Sequence, residues 1–446
     1  MLSARNASTQ GGHREREELF RLPAIAAHRL TRSSVISSSP DLTRQRALHE
    51  SRPLWADTPR LSVRLHQTPA ARDYDVIIIG GGISGALMAH ALVDGKRRVL
   101  VVERRKPVHG STLASTAMIQ HEIDIPLHKL AEMIGVPNAQ RAWRRSARAV
   151  EQLTRIVADL DLSCGFERKK TLFLTGDTYG QRALRKEVEN RQTAGIEADF
   201  LDATALAERF AIDRTGAILS DISASANPAQ MAAGILRAAM ARGVEVVSPL
   251  EITDVRATTD EVFLATSDGR ILSAGHAVFC SGYEFLETVA NENHAIVSTW
   301  ALATPPGIEL PAWLKDCIVW EGADPYLYLR RSRDGRLIAG GEDEDSEDAY
   351  GSRTKLKQKA KIIRRKAEAL LGVTLPEPDH VWAAPFGITR TGLPLIGRVP
   401  KLPNVFAVMG FGGNGITFSQ IAAEIVSADI AGHKDPDADL FAFEKS

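Results

Sequence analysis

Tyr74-Asp75-Val76-Ile77-Ile78-Ile79-Gly80-Gly81-Gly82-Ile83-Ser84-Gly85 is the stretch that decides the fold. Its apolar run reads as a buried parallel strand, and the glycines that follow form a G-x-G-x-x-G opening the helix Ser84 to Val93. Gly80 permits the tight turn, Gly82 lets backbone approach a pyrophosphate, and Gly85 lets helix and strand pack closely. Unpaired N–H groups and the positive end of the helix dipole then favour an anion there. A second strand, Val99 to Val102, ends at Glu103, which is placed to accept hydrogen bonds from an adenosine ribose. An acid in that place favours a free 2′-hydroxyl over a 2′-phosphate. Dinucleotide binding follows from the two strands, the helix and the acid in register.

Working outward, 446 residues are long for one hydrophobic core, so two domains are expected. An apolar fraction of 44% with 25% charged residues is that of a globular protein. The 55 basic and 55 acidic residues cancel, so there is no global field to recruit nucleic acid or an anionic membrane. Cys164, Cys280 and Cys317 lack C-x-x-C spacing, which leaves a disulfide framework or zinc site unsupported; no metal is expected. No apolar run is long enough to span a bilayer, and a soluble, cytoplasmic protein is expected.

Residues 1–70 differ from the rest, holding eleven Arg, no Lys and only six acidic residues. An Arg- and Ser-rich transit peptide is one reading, opposed by Glu15, Glu17 and Glu18. A disordered extension over 1–72, or an overextended start of translation, is the reading preferred. Further along, Asn227-Pro228 to Gly243 bounds a helix, Val244 to Val247 reads as a strand, and Val150 to Leu160 as an amphipathic helix. Lys355 to Leu371 is a basic helix preceded by the acidic run Glu342 to Asp348, which reads as a solvated face rather than a nucleic-acid patch. Strands and helices alternate in the first part, as in a parallel sheet with covering helices.

FAD and NAD share the glycine fingerprint, and the rest of the chain decides between them. Gly110-Ser111-Thr112-Leu113-Ala114-Ser115-Thr116-Ala117, Ser223 to Gln230, His276 to Gly282, Thr391 to Gly397 and Gly410 to Thr417 resemble the blocks of the D-amino-acid oxidase-like family of FAD-dependent oxidoreductases, over about Tyr74 to Gly432. The resemblance implies an α/β fold: a Rossmann-like FAD-binding domain of the glutathione-reductase type at 73–118, 205–290 and 381–435. Interleaved with it is an α+β substrate domain with an antiparallel sheet at 119–204 and 291–380. Expected cofactor contacts are Gly80, Gly82, Ile83, Ser84 and Gly85, then Glu103, Arg104, Ser111, Thr112, Ser115 and Thr116. Val246, Gly282, Gly412, Gly413, Asn414, Gly415, Ile416 and Thr417 complete them. The glycine-rich turn Gly410 to Gly415 leads into the helical stretch Ile416 to Ile430, whose free N–H groups, aimed at the flavin N1 and O2 region, would stabilise the charge that builds up there. Some members attach the flavin through a His in the loop beginning Gly-Ser-Thr or a Cys near the C-terminal signature. Ala114 and a cysteine-free segment stand there in this chain, so non-covalent FAD is expected, with His109 beside the loop.

Tyr326 to Arg330 alternates with period two, turns at Ser332 to Gly335 and returns through Arg336 to Ala339. Tyr326, Tyr328 and Arg330 share a face. If it points at the flavin, Arg330 holds a substrate carboxylate while the tyrosines wall the pocket. An edge-strand salt bridge is the alternative. Glycine oxidase-like members anchor the carboxylate with an Arg shortly after a Trp-Ala pair; at Trp382-Ala383-Ala384-Pro385-Phe386 this chain has Phe386, with Arg390 four residues on. The expected reaction is oxidation of a small amine or amino acid by hydride transfer to flavin N5, with oxygen or another electron acceptor taking the electrons. Dehydrogenation of 2-hydroxy acids or polyol phosphates, an FAD-binding subunit that needs a partner chain, and an NAD-dependent dehydrogenase are the rivals.

Overall fold

The computed structural model describes residues 42–289 and 293–443. The run Asp73–Ile79 is the centre of an eight-stranded sheet ordered Leu395–Arg398, Val405–Met409, Ile271–Phe279, Asp73–Ile79, Val99–Val102 and Glu245–Val247, with the hairpin Ile252–Ala257 and Val262–Thr266 attached to Ile271–Phe279. Its four central pairings are parallel. Both faces of such a sheet are covered, which explains why these strands are continuously apolar. Val76 and Ile78 pack under the helices, while Ile77 and Phe279 pack on the hairpin side. The helices Ile83–Leu92, Pro228–Ala241 and Gly415–Ile430 pack on one another on the first of these faces.

A nine-stranded sheet follows the order His380–Thr389, His294–Ala303, Leu337–Glu344, Leu327–Arg331, Cys317–Gly322, Glu167–Thr175, Gly216–Ser225 and Met118–Gln120, with Asp199–Asp202 on Gly216–Ser225. All its pairings are antiparallel except Cys317–Gly322 with Glu167–Thr175. Gly216–Ser225 and His380–Thr389 lie in this sheet, although the expected division put residues 205–290 and 381–435 in the FAD-binding domain. Long apolar strands look alike in sequence, and only pairing tells which sheet they join. The basic helix Arg353–Leu371 buries Leu356, Ile363 and Leu370 on the sheet, and Lys355 and Lys359 pair with Glu344 at 2.5 and 3.2 Å. Lys366 also pairs with Glu342, while Arg353 and Arg364 pair with Glu50 and with Glu368 and Glu377.

The expectation of a disordered extension over 1–72 extends too far. Residues 42–72 run along the molecule, bridging Thr43 to Leu286, Glu50 to Ala383 and His66 to Val247. They bury Leu54, Trp55 and Leu61 in the main core. Residues 1–41, including Glu15, Glu17 and Glu18 and the Ser33–Pro40 runs, lie outside the described residues. Cys164, Cys280 and Cys317 are buried free thiols, and no helix among the described residues is long and apolar enough to cross a membrane.

Trp55 is 7% exposed, and its indole Nε1 donates to the Ser115 carbonyl at 2.7 Å. Trp55→Ala is therefore expected to lower unfolding free energy by roughly 3–5 kcal/mol, read from urea denaturation. A loss under about 1 kcal/mol would mean that the segment rests loosely on the surface.

Candidate functional site

The strand Asp73–Ile79 ends where three backbones meet. A Cβ on Gly85 would overlap the Gly80 carbonyl oxygen, and a Cβ on Gly80, whose φ is +115°, would overlap the carbonyl of Cys280. Only glycine allows the helix Ile83–Leu92 to begin this close to two strand ends. At Gly82 a Cβ would stand 3.0 Å from Thr112 Oγ1, so the helix start leaves open backbone facing a cleft.

This cleft is lined along its length by Gly80, Gly82, Ile83, Ser84, Glu103 and Arg104, then by Gly110 to Thr112 and Ala114 to Thr116, Gly282, Gly412, Gly413, Gly415 and Ile416. Glu103 accepts from the N–H of Gly81 and of Arg105, each at 2.7 Å, which fixes its carboxylate at the end of Val99–Val102. Thr112 Oγ1 accepts from the Ile83 N–H at 3.1 Å, whereas Ser111 Oγ is buried with no hydrogen-bond partner. An enclosed hydroxyl without a partner beside a helix N-terminus is what a diphosphate oxygen would satisfy. The cleft therefore fits FAD: the glycine turn, Ser111 and Thr112 would hold the diphosphate, and Glu103 the ribose.

The loop Ala114 to Thr116 is held from behind by three buried donors. Trp382 Nε1 donates to the Ala114 carbonyl at 2.9 Å, Trp55 Nε1 to that of Ser115 at 2.7 Å, and Arg330 Nε to that of Thr116 at 2.6 Å. The carbonyls are thereby tied on the side of the donors, and side chains from the same residues line the cleft.

Several expected site residues stand elsewhere. Arg330, 2% exposed, also donates to the Ala226 carbonyl at 3.0 Å and lies over the Trp55 ring; it does not line this cleft. Burial lowers its pKa to about 10, so it remains a cation at neutral pH. It anchors the flavin-side loop instead of holding a substrate carboxylate. Val246 is wholly buried, and its carbonyl accepts from the His66 N–H at 2.9 Å; Leu250, Glu251 and Ile252 line that end of the cleft. Asn414 and Thr417 turn away to bind the carbonyls of Glu122 and Gln120. Gly85 serves packing, and His109 Nδ1 bonds the Pro107 carbonyl outside the cleft lining. The turn before Gly415–Ile430 is not wholly free either, because the Gly413 N–H donates to Asp124 Oδ2 at 2.9 Å. Thr43 and Leu48, from the segment expected to be disordered, line the cleft as well. No sequence signal marks them, since their role depends on where residues 42–50 happen to lie.

A second cavity of about 460 Å³ shares Ser115, Thr116, Tyr326, Phe386, Gly413, Gly415 and Ile416 with the first. Tyr326 and Tyr328 line it, and Tyr326 donates to Asp343 Oδ2 at 2.7 Å. Burial pushes Asp343 up to about 6, against the pull of the Thr299 and Tyr326 hydroxyls. Burial also raises the Asp124 carboxyl, with the Gly413 N–H opposing. Trp320 is fixed in the wall by stacking on Phe173, centroids 3.9 Å apart, and by donating Nε1 to Glu122 Oε2 at 3.1 Å. Glu122 in turn pairs with the fully buried Arg191 at 2.6 Å. Asp124, Asp343 and Trp320 were missed in the sequence because they come from three separate elements and match no spacing motif.

Arg330→Met leaves the Thr116 and Ala226 carbonyls without their buried donor, a cost of about 1–3 kcal/mol for each. Flavin should dissociate more readily and the melting temperature should fall, measured by released-flavin fluorescence on heating. A variant that keeps its flavin and loses only substrate affinity would restore Arg330 to the substrate.

Comparison with known proteins agrees with this fold. A Bacillus subtilis (strain 168) protein named "Putative Rieske 2Fe-2S iron-sulfur protein YhfW" is 21% identical over 375 residues, 82% of this chain and 70% of its own length. The tRNA 5-methylaminomethyl-2-thiouridine biosynthesis bifunctional protein MnmC of Burkholderia pseudomallei (strain 668) is 22% identical over 85% of the chain, which spans only 60% of that protein. The crystal structure of glycine oxidase from Geobacillus kaustophilus superposes with a TM-score of 0.69 at 19% identity, covering 84% of this chain and all of that one. The profile of the FAD dependent oxidoreductase (DAO) family matches residues 75–428, and the chain belongs to that family of FAD-dependent oxidoreductases.

Proposed function

We propose that this protein oxidises the carbon–nitrogen bond of a small amine or amino acid. One observation carries the reading: the second cavity opens onto the cofactor cleft, and no Lys or Arg among the described residues lines it. The rival substrates, 2-hydroxy acids and polyol phosphates, are anions, and burying an anion without a cation or a set of donors is costly. An amine meets no such penalty, and in an amino acid the ammonium group offsets part of the carboxylate's.

Bound FAD supplies the hydride acceptor, so the protein needs neither a metal nor a nucleophile of its own for the oxidation. The reacting nitrogen first gives any ammonium proton to solvent; then the C–H bond beside it breaks, its electron pair leaves with the hydrogen, and the nitrogen lone pair closes a C=N bond that water hydrolyses. Tyr326, Phe386 and Ile416, which line both cavities, orient the donor carbon and exclude competing water. Ser115 and Thr116 hold the border on the opposite side through the loop that Trp55, Trp382 and Arg330 anchor. FAD held this way is non-covalent, and acid precipitation should leave all the yellow colour in the supernatant.

The test is anaerobic. Purified holoprotein is mixed with D-amino acids, N-methyl amino acids, polyamines and 2-hydroxy acids while absorbance near 450 nm is followed, the region expected for an oxidised flavin. Bleaching by at least one nitrogen compound is expected. If 2-hydroxy acids or polyol phosphates alone bleach the flavin, the carbon–nitrogen reading is wrong.

A further inference from the structure

The wall of the second cavity has a chemical bias beyond the lack of basic residues. Asp124, Glu321, Asp324, Asp343, Glu344 and Asp345 all contribute to it. Two of the six are neutralised from behind: Glu321 by Arg214 at 2.8 Å, and Glu344 by Lys355 and Lys359. Asp324 and Asp345 are exposed, whereas Asp124 and Asp343 are half-buried and bonded to Gly413 and Tyr326, residues shared with the cofactor cleft.

An acidic lining alone would make no site. An independent feature is the state of the hydrogen-bond acceptors. Gln120, 8% exposed, lines the cavity with its Oε1 lacking any hydrogen-bond partner, while the neighbouring Asp343 is held by the Tyr326 hydroxyl. Buried acceptors without donors are costly, and Gln120 Oε1 calls for a ligand with an N–H group. Around them stand Tyr179, Trp320, Tyr326 and Tyr328, whose ring faces attract a cation and not a carboxylate. Trp320 is held rigid by Phe173 and Glu122, so this surface is formed before any ligand arrives. Phe386 stands at the border of the two cavities and lines both. The same place therefore offers an apolar ring to whatever approaches the flavin.

We infer that the substrate is a cationic amine without a carboxylate, such as a diamine, a polyamine or an N-alkylated amine, held by Asp343, Asp124 and Gln120 within an aromatic wall. This rests on the carbon–nitrogen reading for its chemistry but not for its binding. The substrate's positive charge faces the carboxylates of Asp343 and Asp124, and one of its N–H groups meets the unpaired Gln120 Oε1.

Binding and turnover are tested separately. Holoprotein is titrated with α,α-dimethylbenzylammonium, which has N–H groups but no C–H beside nitrogen, and with benzoate, neither serving as a hydride donor, and perturbation of the flavin absorbance is read. The ammonium should bind at least about tenfold tighter, and Asp343→Asn should erase about that factor while flavin content is unchanged. Phe386→Arg should shift the preference toward benzoate. Equal or tighter binding of benzoate to the wild-type protein, or no perturbation by either probe, overturns the inference. In the anaerobic panel, putrescine, spermidine or an N-methylated amine should bleach the flavin, and glycine, sarcosine, D-alanine and L-proline should not. Rapid bleaching by the zwitterions overturns the inference and leaves the carbon–nitrogen reading standing. Ammonium binding with bleaching only by hydroxy acids keeps the cationic site and removes that reading.

Discussion

The structure turns on a close approach of backbone to backbone at Gly80, Gly85 and Cys280. A single methyl group at either glycine would push the helix Ile83–Leu92 off the ends of Asp73–Ile79 and Ile271–Phe279. Because the approach is allowed, the first turn of the helix presents its N–H groups at the carboxyl ends of a parallel sheet, where ligands of such sheets bind. Glu103 then reaches back to the Gly81 N–H, so the turn that would hold the diphosphate also positions the acid that would hold the ribose.

A second constraint couples that cleft to the rest of the molecule. Three consecutive carbonyls, at Ala114, Ser115 and Thr116, are bound by Trp382 from the second sheet, Trp55 from the N-terminal segment and Arg330 from the strand Leu327–Arg331. Each bond contributes modestly, about 0.5–1.5 kcal/mol for the neutral donors and more for the cation. Their joint effect is geometric. A loop of small residues that would otherwise sample many conformations is fixed between the two cavities, with its hydroxyl groups at the cleft.

How much of this could be read in the sequence depends on whether a feature is local. The glycine turn, the buried strands and the hairpin Leu327–Arg331 with Leu337–Glu344 were legible because each is written within a dozen or so consecutive residues. Arg330 was read correctly as sharing a strand face with Tyr328, but alternation does not say what covers the face, and here it is backbone carbonyl and Trp55. Val246 was placed on the right strand, yet its carbonyl is taken by His66, from a segment whose polar composition hid its packing. The segment 42–72 holds few apolar residues, but Leu54, Trp55 and Leu61 find a surface already built by the rest of the chain. Composition measures what a segment can bury alone, not what it can bury against a neighbour.

The turn from Gly410 to Gly415 illustrates how a correct local reading can acquire a different physical meaning. Its glycines and the helix behind it were read as a positive pole facing the flavin. In the structure the Gly413 N–H is bound by Asp124, a residue nearly 300 positions earlier, on the loop after Met118–Gln120. The pole therefore also compensates a buried carboxyl, which is how an acid can be kept in a cavity wall that has no basic side chain. Asn414 and Thr417 reinforce the arrangement by binding the carbonyls of Glu122 and Gln120, so the same loop is stitched to the helix at three points. Donors consequently converge at the diphosphate end of the cleft, and acceptors at the far side of the border. The two ends differ in polarity: the first gathers backbone N–H groups, and the second carries carboxylates and no basic side chain among the described residues.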